Sequence, residues 1–356
     1  MGADKRVILL TPSMSKGGAE TQLLKVAIFL KSRSYHVLII SLKPIDEFNG
    51  ELQLSGVHIV FLKNWGYSTF SNLQSLYRIV KTFKPTVVIA FMFIAIIFAR
   101  LLKLVLKFKL IATIRISVLP NKWYVPFKIT GGMDDEIVYN SYASKHNFEK
   151  LRLVTRSGIV INNSISFPEV KNGIHNDINY FKWVCIGHFR WNKDYLTLFK
   201  AIALIDRPNF RIDIIGELND ELWVYQVIKE LDIGDKVNLL GFKSNARDWL
   251  GNADAFVLSS FSEGMPNAIL EAMASGKPVV VTDIDGNHEL VKNGNCGFLC
   301  GRKDETDMAL KMQSMMDLPL SDRNELGANG RRYIEAHFNE KRIMGEWQAL
   351  IDRIIS

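Results

Sequence analysis

At 356 residues the chain exceeds what one hydrophobic core usually organises, and 48% hydrophobic with 23% charged residues is ordinary for a globular protein, so two domains are expected. The net charge of +7 is uneven: residues 1–170 hold 22 Lys and Arg against 10 Asp and Glu, and residues 171–356 hold 22 against 27. Three cysteines (Cys185, Cys296 and Cys300) are too few for a disulfide framework and lack partners for a zinc site, so they read as reduced thiols of a cytosolic protein.

No secretory signal opens the chain, because Lys5 and Arg6 precede only a short strand-like run. That run predicts a first strand over Val7–Pro12. The segment Ser15-Lys16-Gly17-Gly18-Ala19-Glu20-Thr21 then leads into a helix from about Gly18 to Ser32. Glycines there let backbone N–H groups approach a phosphate. The same residues equally make a plain strand-to-helix turn, and they match neither a P-loop nor a Gly-x-Gly-x-x-Gly fingerprint. Further buried strands are expected at His36–Leu42, Val57–Leu62, Thr86–Ala90, Leu110–Ile114 and Ile137–Asn140. A helix follows around Tyr142–Lys150, and Val160–Asn163 ends this half. The apolar run Thr86–Ala99 is 14 residues long and bounded by Lys84 and Arg100. That is short of the ~18–20 a membrane span needs, so it reads as strand then helix.

Residues 52–133 contain no Asp or Glu at all. Arg100, Lys103 and Lys107, at i, i+3 and i+7, form either one solvated edge of a packed helix or a basic stripe that docks on a membrane surface. A basic, apolar half suggests an anionic membrane or an anionic lipid-linked acceptor. Nucleic acid is the rival partner, but no zinc-finger, helix-turn-helix or RNP pattern supports it.

Residues 166–180, with Pro168 and Gly173, read as a linker. The strand pattern restarts at Trp183–Gly187, Arg211–Gly216, Lys236–Leu239, Ala255–Leu258 and Val279–Thr282. An amphipathic stretch with Trp347, Ile343–Ile355, closes it. Two consecutive doubly wound α/β domains are therefore expected.

The most informative segment is Ser262-Glu263-Gly264-Met265-Pro266-Asn267-Ala268-Ile269-Leu270-Glu271. It lies between two strand-like runs, so it reads as strand, tight loop, short helix, turn and strand. Pro266 suits the first helical turn. The helix start beside Glu263 is a natural anion site. Glu263 would repel a bare phosphate, whereas a nucleotide sugar offers phosphate to the amides and hydroxyls to the carboxylate. Two solvated carboxylates are the plainer alternative, and the flanking strands argue against it.

The segment resembles the Glu–seven residues–Glu motif of retaining GT-B glycosyltransferases, especially family four. The resemblance implies two Rossmann-like domains facing an interdomain cleft. Residues 1–165 would bind acceptor, residues 181–338 would bind the nucleotide sugar, and 339–356 would form a helix packing back toward the first domain. It assigns donor-sugar hydroxyls to Glu263, sugar and diphosphate to amides of Gly264, Met265, Pro266, Asn267 and Ala268, and ribose hydroxyls to Glu271. Gly17-Gly18-Ala19-Glu20 resembles the signature of the N-terminal domain in that family. In Ile186-Gly187-His188-Phe189-Arg190-Trp191-Asn192-Lys193, Lys193 holds the place of the diphosphate-gripping Lys. His188 stands where an Arg is commonest, and Arg190 is the substitute expected to supply the guanidinium. Arg115 stands where relatives carry a His close to the reacting sugar; being permanently protonated it cannot be a base, and it is either a phosphate or acceptor contact or a structural residue. Gly216 and Phe242 fall in segments that resemble the loops cupping the nucleotide base in that family, or are ordinary strand ends. Asp283-Ile284-Asp285 superficially matches a metal motif but follows a GT-B strand and is read as unrelated; no metal site is expected.

The expected reaction is transfer of a sugar, with retention, from a nucleotide diphosphate donor (a UDP-sugar) to a hydroxyl of a glycan or polyprenyl-linked acceptor of cell-surface polysaccharide. No cofactor or metal is expected. Lys193, Arg190 and loop amides would stabilise the leaving diphosphate, and the protein would be cytoplasmic or peripheral on the inner face of the plasma membrane. Two rivals are a non-catalytic nucleotide-sugar-binding protein and a sugar-nucleotide epimerase of the same fold.

Overall fold

The computed structural model describes residues 5–167, 180–218, 222–243 and 245–356. The chain divides into two compact units, residues 1–164 with 340–356, and residues 165–339. The expected connecting segment 166–180 falls mostly on 168–179, outside the described residues.

The first unit is built on seven parallel strands: β1 (Arg6–Thr11), β2 (His36–Ser41), β3 (His58–Phe61), β4 (Val87–Phe91), β5 (Lys109–Ile114), β6 (Glu136–Tyr139) and β7 (Ile159–Val160). Their order across the sheet is β3-β2-β1-β4-β5-β6-β7. Successive residues alternate between two cores. Val7, Leu9, Ile39, Ile89 and Phe91 face the Gly18–Ser32 helix and the last helix, Glu340–Ile355. Ile8, Leu10, Ile40, Val88 and Ala90 face the helices Thr69–Phe83 and Met92–Lys103. Burial on both faces is why these strands read as unbroken apolar runs. The run that begins at Thr86 is strand then helix, and β4 turns directly into its helix at Met92, whose φ is +68°.

The basic stripe is corrected by the structure. Its helix ends at Lys103, so Lys107 lies beyond it. Arg100 is fully buried and grips Asp134 with two hydrogen bonds, Nε at 2.8 Å and Nη2 at 2.5 Å. Its Nη1 donates to the Phe127 carbonyl at 2.8 Å. A buried guanidinium satisfied in this way ties the Met92–Lys103 helix to the Tyr124–Thr130 helix and cannot meet a membrane.

The second unit carries β8 (Phe181–Ile186), β9 (Phe210–Ile215), β10 (Val237–Gly241), β11 (Ala255–Leu258), β12 (Val279–Thr282) and β13 (Gly297–Cys300), all parallel, in the order β10-β9-β8-β11-β12-β13. β13 is a strand that the sequence pattern did not suggest: four residues, three of them half-buried at the sheet edge. The order reverses between β8 and β11. In sheets of this kind the loops leaving the carboxyl ends of two such strands diverge and open a crevice for ligands.

Candidate functional site

The two loops that leave β8 and β11 lie side by side and are joined rung by rung. Lys193 Nζ donates to Glu263 Oε1 at 2.6 Å, both side chains being about 85% buried. One step back, Asn192 Nδ2 donates to the Ser262 carbonyl at 3.2 Å, and the Phe261 amide donates to the Asn192 carbonyl at 2.9 Å. At the next step the rings of Trp191 and Phe261 meet with centroids 4.8 Å apart. Ser259 Oγ, donating to the Lys193 carbonyl at 2.9 Å, fixes the same register from below.

Local sequence explains why the first loop holds this shape. Tyr195 is buried, stacks on Phe189 at 4.0 Å and donates its hydroxyl to the Gly187 carbonyl at 2.5 Å. Asp194 takes the left-handed conformation that Asp tolerates (φ +49°), and its carboxylate accepts from Thr197 Oγ1 at 2.8 Å. Together they turn the chain sharply from Lys193 into the Tyr195–Leu204 helix.

Gly216 lies against this loop so closely that a Cβ would sit 1.9 Å from the Gly187 carbonyl oxygen. The Glu217 amide donates to His188 Nδ1 at 3.2 Å. His188 stacks on Phe242, nearly parallel at 6.2 Å. Loops after β8, β9 and β10 thus build one wall from His188, Gly216 and Phe242.

On the other side, Pro266 is the residue that caps the Asn267–Ala274 helix, with φ −78° and ψ 109°, one position before the first turn that the sequence suggested for it. Met265 is buried, and a Cβ on Gly286 would come within 2.3 Å of the Gly264 carbonyl oxygen. Glu271 accepts from Arg247 Nη2 at 2.8 Å. Arg247 and Gly286 escape a sequence reading, because neither belongs to a local motif. Only their contacts across 24 and 22 residues reveal them.

Lys193, Glu263, Gly264 to Ala268, Glu271, Gly216 and Phe242 therefore come together at the carboxyl ends of β8 to β11. Arg190 is exposed on the same loop, its amide donating to the His188 carbonyl at 2.7 Å. Asp283 bonds His288 at 2.7 Å and Asp285 opens a helix, so that pair is spent locally.

In the first unit, Gly17 caps the first helix and accepts from Thr21, amide and hydroxyl, at 3.0 and 2.8 Å; Gly18 begins that helix at the carboxyl end of β1. Arg115 is buried within the first unit. Its guanidinium lies between the rings of Phe91 and Trp347, at 5.2 and 5.6 Å, and Nη1 donates to Asn163 Oδ1 at 3.2 Å. Burial lowers its pKa to about 9, while the two aromatic faces favour the cation. In this position it packs the last helix against the sheet. All three cysteines are buried free thiols, pushed up to about 12 by burial.

Two parallel doubly wound units, with clustered side chains at a strand-order reversal, define the GT-B class of glycosyltransferase fold. The solved structure of Anabaena HepE in complex with UDP-glucose shares it, with a TM-score of 0.84 over 98% of this chain and 99% of that one, at 18% identity. Residues 168–333 match the family model of glycosyl transferases group 1. It is similar to the lipopolysaccharide core biosynthesis glycosyltransferase LpsD of Rhizobium meliloti (strain 1021), 25% identical over 186 residues, 52% of this chain and 53% of that one. It is also similar to the UDP-Gal:alpha-D-GlcNAc-diphosphoundecaprenol alpha-1,3-galactosyltransferase of Escherichia coli, 36% identical over 128 residues, 34% of this chain and 33% of that one. The chain thus spans about half the length of the first relative and a third of the second.

Proposed function

We propose that this protein transfers a sugar, with retention, from a UDP-sugar to a hydroxyl of a glycan or lipid-linked glycan in bacterial cell-surface polysaccharide synthesis. The observation that carries the reading is the 2.6 Å pair of Lys193 and Glu263. It sets a cation and a carboxylate on the two loops of the strand-order reversal. A nucleotide sugar answers both charges at once: its diphosphate meets the ammonium and its hydroxyls meet the carboxylate. The family match, and the UDP-glucose complex of HepE, support a UDP-sugar donor.

In this mechanism charge accumulates on the departing diphosphate as the glycosidic bond breaks. Lys193 stabilises it, together with amides at the start of the Asn267–Ala274 helix and the Arg190 guanidinium. Glu263 holds the sugar hydroxyls and favours positive charge at the anomeric carbon. Glu271, oriented by Arg247, receives the ribose hydroxyls. The acceptor attacks from the face the diphosphate leaves, and the diphosphate oxygen takes the acceptor proton. The reaction proceeds without a metal ion. The E. coli relative, by its name, uses a diphosphoundecaprenol acceptor, which supports a lipid-linked acceptor met at the inner face of the plasma membrane.

The test is release of UDP from a panel of UDP-sugars, with membrane extract as acceptor and with or without chelator. Wild type should release UDP equally in both, and Glu263→Ala should reduce the rate by about 10²–10³. Absence of release from every donor would favour a binding protein, and an epimeric UDP-sugar as product would favour an epimerase. Either result overturns the transfer reading.

A further inference from the structure

The same two loops carry a surface outside the residues assigned above to the donor. Trp191 is 80% exposed, which is unusual for so large an aromatic side chain. Its ring rests on Phe261, one rung beyond the Asn192 hydrogen bonds and two beyond the Lys193–Glu263 pair. The loop after β13 brings two cations to the same ring: Arg302 Cζ and Lys303 Nζ each lie 5.3 Å from the Phe261 centroid. Lys303 takes a left-handed backbone, φ +55°, disfavoured outside glycine. That turn lets two successive residues address one ring.

Both cations are exposed, and the acids that follow them are engaged elsewhere. Asp304 caps the next helix by accepting from the Asp307 amide at 2.9 Å. Glu305 pairs with Lys200 at 3.6 Å, and Asp307 accepts from the Gly301 amide at 2.7 Å. Among the described residues no carboxylate pairs with Arg302 or Lys303. Two neighbouring positive charges without an internal counter-ion attract an anion, and an exposed indole supplies a flat apolar face at little conformational cost.

We propose that Trp191, Phe261, Arg302 and Lys303 form a second subsite of the second unit, for a pyranose that bears a phosphate or diphosphate. The C–H face of the ring lies on Trp191 and Phe261, and its anion meets the two cations. The assignment rests on the glycosyl-transfer reading, in which the occupant is the phosphate-bearing end of the acceptor, two rungs from Glu263.

The test is ligand-observed NMR on the full chain saturated with UDP, so that donor-site binding is blocked. The probes are glucose 1-phosphate, methyl glucoside and inorganic phosphate. Expected are glucose 1-phosphate binding tighter than either fragment, a loss of at least fivefold in Trp191→Ala, and a similar loss in the double variant Arg302→Ala, Lys303→Ala. These side chains are exposed, so unchanged melting temperatures should certify the variants. Equal binding by wild type and variants, or by inorganic phosphate and glucose 1-phosphate, overturns the subsite. So does a Trp191→Ala variant that loses anionic vesicles while keeping the sugar phosphate, which would mark a lipid contact.

A polyprenyl-diphosphate-linked N-acetylglucosamine in detergent separates the sources. Tenfold tighter binding than glucose 1-phosphate, lost in the double variant, assigns a lipid-linked diphosphate; parity assigns a phosphate-bearing glycan, and both outcomes support the subsite. Failure of UDP itself to bind wild type would instead overturn the donor reading, and the probe comparison would then be made without UDP.

Discussion

One absent methyl group fixes much of the candidate site. A side chain at Gly216 would collide with the Gly187 carbonyl, and the Tyr195 hydroxyl holds that carbonyl in place at 2.5 Å. The strain must pass into the loop that carries His188 and Lys193. Gly216→Ala should therefore cost about 1–3 kcal/mol of stability and weaken UDP about tenfold or more by equilibrium dialysis, since misplacement of about 1 Å costs up to 10²-fold in a positioned site. Gly234→Ala, where a Cβ meets nothing within 4 Å, is the control; equal behaviour of the two variants would remove the argument. Lys193 and Glu263 were legible because each stands in a local motif. Arg247, Gly286 and the Trp191–Phe261 contact were not, because their meaning comes from a neighbour brought close by the fold. Arg115 could be named but not interpreted. Its sequence position says nothing of the two rings that enclose it.

At the level of elements, the helices Met92–Lys103 and Tyr124–Thr130 form one surface, clamped from beneath by Arg100 and Asp134. Leu101, Leu104, Val105, Val125 and Ile129 are exposed on them and on the turn after the first. Lys107, Lys122 and Lys128 supply positive charge in a stretch, residues 52–133, without a single acid. Exposed aliphatics beside cations are the chemistry an anionic membrane would meet, and that docking is testable. Ile129→Asp should reduce sedimentation with phosphatidylglycerol vesicles severalfold, and binding should fall as salt rises; indifference to vesicle charge would count against the assignment. Strands such as Val87–Phe91 were readable because burial on both faces imposes a continuous apolar run. β13 was not, since a four-residue edge strand, three of its residues half-buried, leaves too short a pattern. The stripe through Arg100 misled for a related reason: helical spacing shows which residues share a face, not what the face touches.

At the scale of the whole molecule, the first unit is discontinuous. Its sheet ends near residue 164, yet one of its two cores is closed by Ile343, Met344, Trp347, Leu350 and Ile351 of the last helix. Trp347→Ala should cost that unit about 3–5 kcal/mol and leave the melting of residues 165–339 in place, as read by hydrogen exchange in each unit. A matching loss in both would mean that the two unfold as one. The arrangement also sets an order of assembly during synthesis. Translation at about 5–20 residues per second completes the second unit before the closing helix is made. For about 10–35 s the face formed by Val7, Leu9, Ile39 and Phe91 has only the Gly18–Ser32 helix as cover. The half of the protein that leaves the ribosome first is the half that finishes folding last, and a chaperone that shields nascent apolar surface would have its main work there.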